Sequence, residues 1–460
     1  MISLWDNRKY NRDKYGDLSP DVRDVLQSYS GIGLDELAHD YPGLLVFPNS
    51  LGVYGDNWEN ECLYHFRGNE LWAGNVVGFF GIKGIQVQIR SRFDQKDGRQ
   101  YLFHYMLGRV LGINMLKWEA TTDKESIWDF LPFLFPCILK RAIKQGLFRA
   151  YRTFSYSDDH IRGAIDVAKH IRHNIPFNGQ VAYRTREHTV NNFLISLVRH
   201  TIEDIKRNSR FSSVLENDSE TREAVRIVIE CTPDYSHNDL RKVVAQNLRP
   251  VKHPFYTEYT SLQKLCLQIL RREKMTFGND KDKVNGIVFK AEWLWEEYLN
   301  TILRQLDFIH PQPSKPRTGL PFYEPKPKEY HGAFPDFYNR EKRIVMDAKY
   351  KKLNSQLFSS ELRDDRFQLI SYVHITSANA GILLYPAKPD TPSGWQREGT
   401  LRGYKLGNGH GGTIGIYGLQ VPNSETFEAF SGDMQKQEKV LQAGIRDGIF
   451  ADIGETSEEV

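Results

Sequence analysis

Apolar and polar residues alternate through the N-terminal part of the chain. GLLVF, ECLYHF, NVVGFF and GIQVQIRSRF follow one another between Tyr41 and Phe93, and in the last of them Ile85, Val87 and Ile89 alternate with Gln86, Gln88 and Arg90. A two-residue period is that of a half-buried strand, and Gly74, Gly78, Gly81 and Gly84 punctuate the runs as turn residues. The pattern predicts a β-rich domain over residues 1–120, with a helical segment near Tyr101–Leu111.

The period then changes. In IWDFLPFLFPCILKRAIKQGL and NNFLISLVRHTIEDI apolar residues recur at threes and fours, which predicts a mainly helical middle region over 121–280. Its part from 201 onward is charge-rich and reads as exposed helices with loops. Pro132 and Pro136 interrupt the most apolar run, which is too short to span a bilayer and reads as core. From Val284 to Phe308, Ile287, Ala291, Leu294, Tyr298, Ile302 and Leu306 fit one amphipathic helix. A proline-rich loop follows, HPQPSKPRTGLPFYEPKPKEYHG, in which Lys315, Arg317, Lys326 and Lys328 are interleaved with Phe322 and Tyr323.

Two strands come next, Phe334–Tyr338 and Arg343–Tyr350, joined by the polar turn Asn339–Lys342. A helix from about Asp365 to Thr376 succeeds them. A β-hairpin with a glycine-rich loop is expected near 403–422, and a short helix with a frayed acidic tail over 433–460. Taken together the pattern describes an α/β chain.

Composition narrows the class. A chain of 460 residues accommodates two or three domains, and 40% hydrophobic content, 12% aromatic content and a net charge of +3 describe a globular protein. So balanced a charge gives no general affinity for nucleic acid, so any phosphate-binding surface must be a local cluster. Cys62, Cys137, Cys231 and Cys266 form no C-x-x-C pair and read as reduced thiols. His160, His170, His173, His188 and His200 lack the companions of a zinc site. No apolar leader or spanning stretch is present, so a cytoplasmic protein is expected. No G-x-x-x-x-G-K-[ST] motif occurs, so a nucleotide-driven motor would have to be a separate subunit.

The candidate chemistry lies in FPDFYNREKRIVMDAKYKK. Asp347 and Lys349 are two apart on one strand and leave the same face, while Asp336 arrives from its partner. Two carboxylates and a lysine beside an apolar sheet suit Mg²⁺, with Mn²⁺ as a substitute, because hard oxygen ligands leave room for water and phosphate oxygens. On the preceding helix Glu292 and Glu296 share a face, and downstream Gln368 and Tyr372 stand at i, i+4. A solvated hairpin would account for the D-x-K alone. For Arg162 and Asp166 in RGAID a structural ion pair about a glycine turn is an equal reading to partner or DNA contact.

The order PDF…VMDAKYK, then QLISY, then GILLYP resembles the PD-(D/E)xK nuclease superfamily, and within it the McrC subunit of McrBC-type restriction systems, LlaJI-like ones included. RGAID and the Asn191–Asn192 pair before a helix extend the likeness through most of the chain, leaving 201–280 without a counterpart. The resemblance implies a restriction-endonuclease-like core over 281–432, with Asp336, Asp347 and Lys349 as the metal-binding and catalytic set. The upstream acid falls on Glu296, with Glu297 as its rival. Gln368, Tyr372, Lys351, Lys315 and Arg317 are the implied DNA-facing residues. It also implies an AAA+ GTPase or ATPase hexamer, McrB-like, as partner, engaged by residues 1–120, and double-stranded DNA as substrate, foreign and in some systems modified. A motor-independent DNA-repair nuclease and a non-catalytic adaptor of a motor are the competing readings.

Overall fold

A computed structural model of the chain describes residues 2–11, 19–41, 43–48, 61–68, 70–94, 99–112, 127–209, 211–216, 218–277, 284–311, 319–321, 332–352, 362–389, 391, 393–400 and 412–448. Lys315 and Arg317, with the rest of 312–318 and 322–331 of the proline-rich stretch, residues 401–411 of the expected glycine-rich hairpin and residues 449–460 lie outside them. The chain is mixed α/β and forms two compact units, residues 1–125 with 280–460, and residues 126–279.

The first unit contains two five-stranded sheets. One combines β1 (Ile2–Trp5), β2 (Leu44–Phe47), β3 (Val76–Ile82), β4 (Ile85–Arg90) and β5 (Val284–Lys290) in the order β1-β4-β3-β5-β2. Strands β3 and β4 make a hairpin through Lys83 and Gly84, both at positive φ, the backbone that a two-residue turn between right-twisted strands needs. Helix α1 (Tyr101–Leu111) lies where the sequence predicts it.

Strand β5 corrects the expected helix Val284–Phe308. It is antiparallel to β3 and parallel to β2, and helix α2 begins only at Ala291 and runs to Leu303, with a 3₁₀ turn after it. Ile287, Val288 and Phe289 are buried, and a run that is apolar on both faces serves a central strand as well as a buried helix. The β-branched residues and Gly286 decide for the strand. A Cβ at Gly286 would stand 2.5 Å from the Phe79 carbonyl oxygen, so the two backbones approach as closely as glycine permits.

The second sheet carries the candidate site. Its strands are β6 (Phe337–Asn339), β7 (Ile344–Ala348), β8 (Ala380–Ala387), β9 (Gly394–Thr400) and β10 (Thr413–Gln420), in the order β6-β7-β8-β10-β9. The central pairs β7–β8 and β8–β10 are parallel and the edges antiparallel. Helix α3 (Arg363–Thr376) makes the crossover between β7 and β8, and its Leu369 and Val373 pack on Val345, Leu383 and Tyr385. Because central parallel strands are covered on both faces, β8 is buried throughout. Helix α4 (Phe427–Arg446) begins before the expected short helix at 433 and is twenty residues long, and it buries Phe430, Met434 and Leu441.

The second unit is largely helical, as expected, but also holds a three-stranded antiparallel sheet. Ala150–Asp158 and Val181–Thr189 pair along nine residues, with Ala164–Ile165 at the edge. Arg162 and Asp166 do not pair with each other. Arg162 lies 3.5 Å from Asp158, while Asp166 caps the helix Val167–His173 and binds Arg184 at 2.6 Å. Asn192 caps the helix Phe193–Arg207, accepting from the amides of Leu194 and Ile195. All four cysteines are free thiols. Among the described residues no helix is long and apolar enough to cross a membrane.

Candidate functional site: a buried carboxylate–lysine cluster

The turn between β6 and β7 is set locally. Asn339 Oδ1 accepts from the Lys342 amide at 2.8 Å, and Arg343 takes a positive φ of 53°, the Asx-type geometry that asparagine favours. The register that follows pairs Phe337 with Met346, which carries Asp336 opposite Asp347. The Asp336 Oδ2 atom accepts a 2.6 Å hydrogen bond from the amide of Ala348.

Along β7 the two-residue period divides the faces. Val345, Asp347 and Lys349 leave toward α3, and Tyr350 leaves to the other side, where it packs on Trp295 and Phe93 and shares a 2.6 Å hydrogen bond with Ser91.

Asp347 is 1% exposed. Its Oδ2 lies 2.6 Å from Lys349 Nζ, an ion pair, and no further partner reaches that buried oxygen among the described residues. Burial raises the Asp347 pKa against the pull of Lys349. Burial also holds the Asp336 carboxyl well above the carboxylate range, reinforced by the charges of Asp347 and Glu296. For Lys349, burial opposes the charge but Asp347 and Asp336 more than offset it, so its pKa is raised. It is therefore a cation here, a donor rather than a base.

Helix α3 completes that side. Lys349 Nζ donates to Gln368 Oε1 at 3.0 Å, Gln368 Nε2 donates to the Tyr372 hydroxyl at 3.0 Å, and that hydroxyl donates to the Phe334 carbonyl at 3.3 Å. The glutamine is thus fixed at both ends. Burial pushes the Tyr372 phenol up to about 12, so it remains a donor. Lys351 turns instead to Asp365, with both carboxylate oxygens 2.9 Å from its Nζ, and Tyr385 donates to the same carboxylate at 3.3 Å.

Helix α2 brings the upstream acids. Glu297 Oε2 accepts from Asn300 at 3.3 Å, whereas Glu296 is the acid whose charge acts on Asp336. A residue that the sequence reading passed over stands between them. His310 Nε2 is 3.5 Å from Glu296 and 3.7 Å from Glu297. Its own burial would depress its pKa, but Glu297 and the Asp336 carbonyl raise it. A lone histidine ahead of a proline-rich loop carries no pattern that would have singled it out.

Among the described residues no three His, Cys, Asp or Glu side chains form a ready metal cage. The buried Asp347 and half-buried Asp336 carboxyls, both with raised pKa values, and a nearby glutamate nevertheless fit Mg²⁺. That ion keeps several waters and is held through one or two carboxylates plus substrate oxygens.

The fold and the cluster define a mixed α/β protein with a buried carboxylate–lysine centre on a helix-covered sheet. A family model described as "McrBC 5-methylcytosine restriction system component" matches residues 71–386, more than half of the chain, and the chain belongs to that family. Among solved structures, one chain of the refined half-complex from the tetradecameric assembly of Thermococcus gammatolerans McrB AAA+ hexamers with bound McrC is similar over 95% of this chain and 99% of that one, at 16% identity and a TM-score of 0.49. A chain of the cryo-EM structure of the Thermococcus gammatolerans McrBC complex is similar over 66% and 87%, at 15% identity and a TM-score of 0.33. No curated protein matches this chain.

Proposed function

We propose that this chain is the DNA-cleaving subunit of an McrBC-type restriction system, hydrolysing phosphodiester bonds in a Mg²⁺-dependent reaction at a PD-(D/E)xK-type centre. The observation that carries the reading is the placement of two carboxyls on adjacent arms of the hairpin, the half-buried Asp336 and the buried Asp347, beside the half-buried cation of Lys349. Two carboxyls crowded out of water oppose folding, an arrangement that chemistry explains better than stability does.

Asp336, Asp347 and Glu296 would hold the metal, which when bound polarises a phosphoryl oxygen and lowers the pKa of its water. Lys349, charged and held by Asp347 and Gln368, orients the attacking water and offers its positive charge to the developing oxyanion. Gln368 and Tyr372 line the cluster on the α3 side and would face the DNA, with Lys351, Lys315 and Arg317 as further phosphate contacts.

The partner in this reading is a hexameric AAA+ NTPase like the McrB that accompanies McrC in the Thermococcus gammatolerans assemblies. Residues 1–120 are the proposed contact with it. The test is plasmid cleavage in Mg²⁺ with and without the partner and its nucleotide. Partner-dependent cutting that Asp347→Asn abolishes while nucleotide hydrolysis persists supports the reading, and cutting that survives the substitution overturns it.

A further inference from the structure

Three contacts hold the imidazole of His310. Its Nδ1 donates to the Asp336 carbonyl oxygen at 2.6 Å, its face stacks on Phe337 with ring centroids 5.0 Å apart, and its Nε2 faces Glu296 and Glu297 at 3.5 and 3.7 Å. The side chain is 9% exposed. Backbone geometry delivers it there. Ile309 and Tyr338 exchange two hydrogen bonds, of 2.8 and 2.9 Å, which lay residue 310 alongside Phe337 and Asp336.

Neither the bridge nor the stack calls for a histidine. The bridge is backbone, and phenylalanine would stack as well. What histidine adds is a nitrogen at each end of one rigid ring. One holds the backbone of Asp336, the residue just before β6, and the other faces the acidic turn of α2. The two glutamates are adjacent on the helix and point about 100° apart, so a group set between them governs how each is turned.

We propose that His310 is a positioning residue for the acid cluster, clamping Asp336 to Glu296 and Glu297 and so fixing the separation of the carboxylates that receive the metal. This rests on the nuclease reading of the site. Groups that orient metal ligands from outside the coordination shell are worth about 10–100-fold in metal affinity.

The experiment is calorimetric titration of the full chain with Mn²⁺ alone, with thermal unfolding in EDTA run in parallel. Wild type, His310→Phe, Glu296→Gln, their double variant and Asp347→Asn are compared. His310→Phe keeps the stack and removes both nitrogens, and should bind Mn²⁺ about 10–100-fold more weakly while unfolding near the wild-type temperature. If the ring acts through Glu296, the double variant binds no more weakly than the worse single variant. Should the phenylalanine variant unfold early, His310→Asn decides, because it restores the donor to the Asp336 carbonyl but cannot reach the glutamates. It should remain at least about tenfold weaker than wild type, the lower end of the range expected of such groups.

Wild-type affinity in the His310 variants, with affinity lost in Asp347→Asn, overturns the positioning role alone. Equal affinity in wild type and Asp347→Asn, or no binding by wild type, overturns the nuclease-site reading beneath it.

Discussion

The carboxylate of Asp347 and the ammonium of Lys349 lie 2.6 Å apart, on alternate residues of one strand, with the acid 1% and the lysine 17% exposed. Each is the principal reason the other tolerates burial.

Removing one partner should therefore be felt twice. Lys349→Ala is expected to reduce DNA cleavage at least about 100-fold, the scale of a lost catalytic group, and to destabilise the first unit by about 3 kcal/mol because Asp347 is left buried without its counter-ion. Combining it with Asp347→Asn should recover much of that stability and none of the cleavage. Urea unfolding of the two single variants and the double variant separates these contributions.

Asp94 provides a pH-dependent counterpart away from the site. Its Oδ1 accepts from the Leu102 amide at 2.9 Å while its buried Oδ2 has no partner, and burial, aided by the Asp6 charge, pushes its pKa from 3.8 up to about 8. A carboxyl with a raised pKa in the folded state contributes stability that is complete below pH 4 and declines as pH rises through about 8. Asp94→Asn keeps the acceptor and removes the charge. Its unfolding midpoint should gain on wild type by about 2 °C or more between pH 5 and 8, and melts across that range would expose parallel slopes if the ionisation is unimportant.

Gly78 sits at φ 143°, and a Cβ there would meet the Ile287 carbonyl oxygen across the β3–β5 pair. Gly78→Ala combines a backbone that L-residues avoid with a collision that no side-chain rotation relieves. A loss of about 2–4 kcal/mol in denaturant unfolding is expected.

Glu438 of α4 is 6% exposed and receives the hydroxyls of Tyr105 at 2.7 Å and Tyr298 at 3.0 Å and the guanidinium of Arg109 at 3.0 Å. It ties α1, α2 and α4 together behind the acidic turn of α2. Glu438→Ala should cost about 3 kcal/mol, since a half-buried arginine and two buried phenols lose their acceptor. Glu438→Gln, which keeps an acceptor, should cost less in the same thermal assay.

The sequence carried the site hairpin and helix α3 clearly, and for a physical reason. Asp347 and Lys349 interrupt a strand that is otherwise apolar, and Gln368 and Tyr372 repeat at helical spacing, so local order alone brings them to one face. Strand β5 was hidden because its neighbours, Leu44–Phe47 and Val76–Ile82, lie some two hundred residues away in the chain, and pairing at that distance leaves no local trace. The hairpin Ala150–Asp158 with Val181–Thr189 was hidden differently. Many of its side chains are half-buried or exposed, so it lacks the apolar face that period-two reading depends on. His310 acquires its meaning only from Ile309 pairing with Tyr338, another contact that no spacing encodes.

Strand β5 passes into α2 with only the Lys290–Ala291 junction between them. The helix that presents Glu296 is therefore rooted in one sheet, while Asp336, Asp347 and Lys349 are mounted on the other. Alignment of the acids is then a property of two frameworks rather than of one loop, with the Tyr350–Ser91 hydrogen bond and the His310 ring as cross-struts between them. A substitution deep in the N-terminal sheet, far from any phosphate, can misalign the centre without touching it.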